Sequence, residues 1–472
     1  MRTSRRRFLE IVGVGAGVVA LDSLTLPMRA LADEGDAGNL LLFVYFSGGW
    51  DQLLCWDPRP HTDPKYQIND RYDGPGTTGI FPGYDMIVDA GVEAVLATEA
   101  GKSGVQKRGN LTFGPAVPES LLVHHPDFCL VRGMAMDTLT HEVGRRFFLT
   151  GKFPRGLAAS GSSMPTMVAS LAGNHSLLPH LSVSAEAYNE GQPAFASPVR
   201  VNSASDMLNV LKPIGTPISA DSDQALLAFE DASDTCDSHE LDGTGLVSLF
   251  RDSRKQARSM VSGSAATLFG YSISKPVEPL FSTLGIGTSA DLTGPKGKAA
   301  IAALALENGL SQAVGLQLAS NLDDHFDWDT EHATTLRTAF DALGNLIAYL
   351  KSADYKGAGG GKVWDRTTLV VFSEFARTPT VNSRNGRDHH LTSSCLVSGP
   401  GIVGNQVLGA SSDQNMDAVP MNLATGAPDP ENGHRVRPPD VHATVLTSMG
   451  LGYDHISNQT PELITKMLKN PV

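Results

Sequence analysis

The sequence predicts an α/β fold built on a doubly wound, mostly parallel sheet. Three observations predict it. First, short apolar runs at Leu40–Phe46 (LLLFVYF), Ala313–Ser320 (AVGLQLAS) and Thr367–Phe372 (TTLVVF) read as buried strands. Second, amphipathic segments of helical period lie between such runs. In Thr334–Leu350 the residues Leu336, Phe340, Leu343, Leu346, Ile347 and Leu350 form one stripe. Strands alternating with helices imply parallel crossovers. Third, each apolar run turns polar at its end: Ser47-Gly48-Gly49-Trp50-Asp51, Asn321-Leu322-Asp323-Asp324-His325, and Ser373-Glu374 with Arg377. Open α/β sheets present their chemistry beyond the carboxyl ends of the strands.

The chain opens with Ser4-Arg5-Arg6-Arg7-Phe8-Leu9, an apolar run over Ile11–Ala20, and Ala30-Leu31-Ala32. This is a twin-arginine export signal with an A-x-A cleavage site. Residues 1–32 are expected to be removed and the mature domain to span 33–472. A twin-arginine signal implies the twin-arginine export machinery as a partner and a periplasmic or extracellular destination. The apolar run is too short and glycine-rich to span a bilayer comfortably, and no other long apolar run exists, so the mature protein is expected to be soluble. Removing the signal's five Lys+Arg and two Asp+Glu from the chain's 37 and 50 leaves a net charge of −16. That balance argues against nucleic acid and anionic membranes as partners. It is neutral on a small anionic substrate, because a bound metal can reverse the local field.

After the first strand, Trp56–Pro118 is rich in Pro, Gly, Asp and Tyr and reads as a surface excursion. Phe128–Arg132 is a strand, followed by Met136–Glu142 and a helix over Val143–Leu149. Met164–Leu171 is helical, Leu178–Ser184 a strand, and Ser203–Leu211 and Asp221–Phe229 helical. Leu246–Leu268 is a long amphipathic helix. About 186–295 carries no obvious chemistry and reads as an inserted helical cap. Lys298–Asn308 is a helix leading into the strand at Ala313. Beyond His390 come a strand at Ser393–Ser398, a glycine-rich turn at Gly399–Gly404 that lacks the Lys-Ser/Thr of a phosphate loop, and closing helices at Pro438–Met449 and Pro461–Leu468. Cys55, Cys129, Cys236 and Cys395 match no zinc motif; they could pair after export or stay as buried thiols.

Asp, Glu and His crowded at strand ends suit a divalent metal. The candidates are Asp51, Asp323, His325, Glu374 and the Asp388-His389 pair. Asp329 and His332 are a second-ranked pair, and His124-His125 read as a helix end. Thr140 and His141 open a helix, where free N–H groups and the dipole favour an anion or a nucleophile; an ordinary N-cap is the plainer reading.

These segments carry a resemblance. Ser47–Asp51 resembles the "GGND" signature of the secreted domain of unknown function 1501 family. Leu322–His325 resembles its "DTH", Ser373–Thr378 its "SEFGRT", and Gly386–His389 its "GGTDHG". The match runs through nearly the whole mature chain in order. The resemblance implies the alkaline phosphatase superfamily, with its three-layer α/β/α sandwich and a two-metal site for zinc, manganese, magnesium or calcium. It implies Asp51 and Glu374 on one metal, and Asp323, His325 and His389 on the other, with Asp388 a ligand or an orienter of His389. Phe375 stands where relatives place a His. Arg377 or Arg387 would hold the ester's anionic oxygens. Thr140 would be the nucleophile, Thr138 the reserve, and His141 a ligand or acid/base. Two functions follow: a metal-dependent hydrolase of phosphate or sulfate esters, or a non-catalytic exported binding or surface-assembly protein on a degenerate phosphatase fold.

Overall fold

A computed structural model describes residues 39–66, 79–173, 176–212, 264–357 and 359–470, with isolated positions between 219 and 258. The expected export signal, Cys236 and most of the predicted helix Leu246–Leu268 lie outside the described residues.

One eight-stranded sheet organises the described chain. Its strands are β1 (Leu40–Phe46), β2 (Cys129–Ala135), β3 (His180–Val183), β4 (Val199–Val201), β5 (Ala313–Ala319), β6 (Thr367–Phe372), β7 (Thr392–Ser398) and β8 (Gln406–Leu408). Their spatial order is β8-β2-β7-β6-β1-β5-β3-β4. Every neighbouring pair is parallel except the two made by β7, which runs against β6 and β2. The chain is therefore mixed α/β with a large, mostly parallel sheet. The carboxyl ends of β1, β2, β5 and β6 share one edge, and the amino end of antiparallel β7 joins them there.

The central strands are buried on both faces, as continuous apolar runs require. Leu40, Leu42, Val44 and Phe46 pack with α3 (Pro295–Glu307) and α4 (Trp328–Ser352). Leu41, Phe43 and Tyr45 pack with α1 (His141–Thr150), α2 (Met164–Ala172) and α5 (Pro438–Ser448). Period-two alternation thus sends adjacent residues of one strand into separate cores.

Several expectations change. The described parts of Trp56–Pro118 are no mere surface excursion: Trp56, Tyr84, Val92, Leu111 and Phe113 are buried, around a helix at Ala90–Leu96 and a hairpin of Gln106–Arg108 with Leu111–Phe113. Trp56 anchors the segment by packing edge-on against Trp50 and Phe340. The predicted cap begins inside the sheet, since Val199–Val201 forms edge strand β4. Pro461–Leu468 holds only a short 3-10 turn, Thr465–Met467. Among the described residues, Cys55, Cys129 and Cys395 are buried free thiols, and no helix is long and apolar enough to cross a membrane.

Candidate metal centre

Two glycines let the strand-end loops close on one another. Gly48 follows β1 at φ +115°, and a Cβ there would lie 2.4 Å from the Leu322 nitrogen. Gly144, one turn into α1, lies so close to the loop after β6 that a Cβ would sit 2.3 Å from the Glu374 carbonyl oxygen. The loops are then laced together. Leu322 N–H donates to the Ser47 carbonyl at 3.1 Å, and Arg377 N–H to the Trp50 carbonyl at 3.0 Å. Ala376–Arg377 pairs antiparallel with His389–His390.

At the centre stands the Asp323 carboxylate. Its Oδ1 lies 3.1 Å from His141 Nε2, 3.1 Å from His325 Nε2 and 3.3 Å from His389 Nε2. Arg377 reaches the same oxygen at 2.6 Å. His325 Nε2 and His389 Nε2 are 2.9 Å apart. His141, Asp323 and His389 each offer one ligand atom, all within 4.8 Å of one another, and form the one such group among the described residues.

Each imidazole is fixed from behind. His141 Nδ1 lies 2.9 Å from Glu374 Oε1, His325 Nδ1 2.6 Å from Asp388 Oδ1, and His389 Nδ1 2.6 Å from the Leu139 carbonyl. These partners accept, so each Nδ1 carries the hydrogen, and a ring in its neutral form turns a bare Nε2 lone pair inward. Three lone pairs and a carboxylate oxygen converging on one spot repel one another unless a cation or proton lies among them. His141 Nε2 is in addition buried without an aligned hydrogen-bond partner. Imidazoles oriented by carboxylates and a carbonyl are the usual support of a metal site. The residues present therefore fit a divalent ion. Nitrogen-rich ligation favours zinc over magnesium or calcium, which prefer all-oxygen shells.

Charge follows the same layout. Burial works against ionised Asp323, but the Arg377 hydrogen bond and charge outweigh it and hold its carboxyl well below the usual range. Burial likewise opposes ionised Glu374, and the His141 bond overcomes it. Burial disfavours His141 as a cation, but Glu374 raises it. Burial pushes His389 down.

The expected residues sort into distinct roles. Asp323, His325, His389 and His141 come together. Glu374 is fully buried and orients His141, with Gly48 N–H and Ser373 Oγ donating to its oxygens at 2.9 Å each. Asp388 orients His325 and not His389, because His389 Nδ1 already points at Leu139. Asp51 stands outside the histidine–aspartate cluster: its carboxylate accepts from Leu53 N–H and Trp328 Nε1 at 2.9 Å each and lies 3.0 Å from Arg387 Nε. Arg387 is buried, donating to the Thr378, Phe81 and Pro82 carbonyls. The Arg377 guanidinium binds the Gly48, Gly49 and Arg387 carbonyls besides Asp323. The second pair is structural: Asp329 accepts from Asn385 at 2.7 Å, and buried His332 links Asp324 to the Asp51 N–H. His124 is buried against the Gly344 carbonyl. Thr140 is the exposed N-cap of α1 and makes no capping bond, whereas Thr138 is buried and accepts from Thr140 N–H. Phe375 packs against His141 and His389, with ring centroids 4.7 and 4.4 Å away. Sequence reasoning missed the Leu139 carbonyl, which no side-chain motif could reveal.

Solved structures similar to the chain include Ps i-CgsB in complex with k-i-k-neocarrahexaose, at 9% identity and a TM-score of 0.34, covering 91% of this chain and 78% of that one. They also include a protein from work on glycosaminoglycan metabolism by Bacteroides thetaiotaomicron, at 11% identity and a TM-score of 0.35, covering 92% and 78%. At such scores neither likeness bears on fold or chemistry. No curated protein matches the chain. The family model described as protein of unknown function (DUF1501) matches residues 39–464, and the chain belongs to the DUF1501 family.

Proposed function

We propose that this chain is an exported, metal-dependent hydrolase of phosphate or sulfate esters, on an alkaline-phosphatase-like α/β/α sandwich. The observation that carries the reading is the convergence of three Nδ1-anchored imidazoles on Asp323 Oδ1. One divalent ion would be held by His141, Asp323 and His389, with His325 at its edge. Such an ion supplies Lewis-acid polarisation of an ester oxygen and stabilises charge on a leaving group. Glu374 and Asp388 keep His141 and His325 in the tautomers that face the centre. Arg377 holds Asp323 and ties the loop after β1 and the loop between β6 and β7 to it. The amino end of α1, with its free N–H groups, favours an anionic ester beside His141. Thr140, exposed there and adjacent to His141, is the candidate nucleophile.

A specific observation favours a second reading, a non-catalytic exported binding protein. Asp51 and Glu374, which the family resemblance assigns to a second metal, are engaged by Arg387, Trp328 and His141. The two readings part in one assay. Mature protein loaded with zinc is tested on phosphate mono- and diesters and sulfate esters, beside Thr140→Ala. Turnover that vanishes in Thr140→Ala while metal is retained supports the hydrolase. Retained metal with no turnover of any ester supports the binding protein.

A further inference from the structure

We propose that Phe375 is a positioning residue that makes the centre selective for a four-coordinate ion, zinc, over a six-coordinate one such as manganese. The inference rests on the metal centre of the proposed function and does not depend on turnover. Phe375 is fully buried and belongs to the core that also holds Phe148 and Phe372, yet its ring meets the ligands as well. Its centroid lies 4.4 Å from that of His389 and 4.7 Å from that of His141. The two imidazoles are themselves 4.4 Å apart and nearly perpendicular, at 81°. The three rings close a triangle, and both imidazoles in it belong to the group of ligand atoms around Asp323.

That contact has two consequences. The bond at Nδ1 fixes one point of each imidazole, at Glu374 for His141 and at the Leu139 carbonyl for His389. Packing against a flat ring fixes the plane as well, and with it the direction of each Nε2. The second consequence is dryness. Zinc is satisfied by four ligands. Manganese, an octahedral ion, must fill further positions with water, and a buried water needs polar neighbours of its own. A carbon ring offers none. The polar group nearest that ring is Arg377, with Cζ 5.9 Å from its centroid, and its guanidinium is already bound to Asp323 and three carbonyls. The ring has little room to move aside: the Gly49 backbone abuts it so closely that a Cβ there would lie 2.7 Å from Phe375 Cε2.

Nitrogen ligands by themselves favour zinc over manganese, so the ring's share is read as a change in that preference. The test measures zinc and manganese affinities of the mature protein by competition with a chromogenic chelator, beside Phe375→Leu, Phe375→Met and Phe375→Tyr. The visible spectrum of each protein loaded with cobalt is recorded as well. Leucine and methionine keep an apolar side chain but lose the flat ring; tyrosine keeps the ring. The preference for zinc is expected to fall at least about tenfold in Phe375→Leu and Phe375→Met and to persist in Phe375→Tyr. The intense absorption of tetrahedral cobalt should weaken in the same two variants. An unchanged preference in both, or an equal loss of both affinities, is what a merely structural ring gives; it overturns the selectivity role and leaves the metal centre standing. Failure of the native protein to bind either metal overturns both.

Discussion

The Nε2 atoms of His325 and His389 face each other at 2.9 Å, although the opposite nitrogen of each ring is already committed to Asp388 or to the Leu139 carbonyl. With both rings neutral, no hydrogen is left to lie between them. A shared cation resolves the contact, and so would protonation of one ring. Burial pushes the pKa of His389 down, which weighs against the proton on that ring.

If carboxylates behind the rings set their orientation, Glu374→Gln and Asp388→Asn should weaken metal binding without abolishing it. Loss of such outer partners typically costs about 10–100-fold in affinity. Competition with a chromogenic chelator measures it. Unchanged affinity in both variants would remove the orienting role.

Asp51 separates a structural carboxylate from a ligand. Its ion pair with Arg387 is fully buried, so Asp51→Ala leaves an uncompensated guanidinium and should cost roughly 3–5 kcal/mol of stability. Denaturant titration reads the loss. The folded variant should still bind metal as the native protein does.

Arg377 should behave alike for a different reason. Its planar fork satisfies three carbonyls and Asp323 at once. Arg377→Lys keeps the charge but cannot reproduce that geometry. A clear fall in thermal midpoint is expected, and a native midpoint in the lysine variant would contradict the positioning role.

The pattern that places the sheet and its loops was readable in the residues. LLLFVYF and TTLVVF become β1 and β6 with the expected bounds, because strands buried on both faces must be apolar throughout. Asp323, His325 and His389 could be found because strand ends of an open sheet gather on one edge. What the chain hid was direction. Asp51 and Asp323 both follow a strand, yet Asp51 meets Trp328 and Arg387, hundreds of residues away, and no local pattern encodes such partners. The burial of Trp56, Tyr84, Val92, Leu111 and Phe113 was hidden by the turn-rich composition around them, and β8 is too short to show a period.

Acid should destabilise the fold through buried histidines outside the Asp323 cluster. Burial pushes His180 and His442 down to about 3, against about 6.5 for an unfolded chain. Below about pH 6.5 the unfolded state takes up protons that the folded state refuses, so stability falls as pH drops toward 3. Each residue contributes up to about 1.4 kcal/mol per pH unit in that window. Urea titrations between about pH 7 and 5 should show the slope, and His442→Gln should flatten it.

The most direct measurement is elemental analysis of mature protein purified without chelator, beside His389→Ala, Asp323→Ala and His124→Ala. About one divalent metal per chain is expected, as zinc, in the native protein and in His124→Ala, with strong depletion in the other two. No bound metal after zinc, manganese, magnesium and calcium are added back, or equal metal in all three variants, would contradict a metal centre on Asp323 and its histidines.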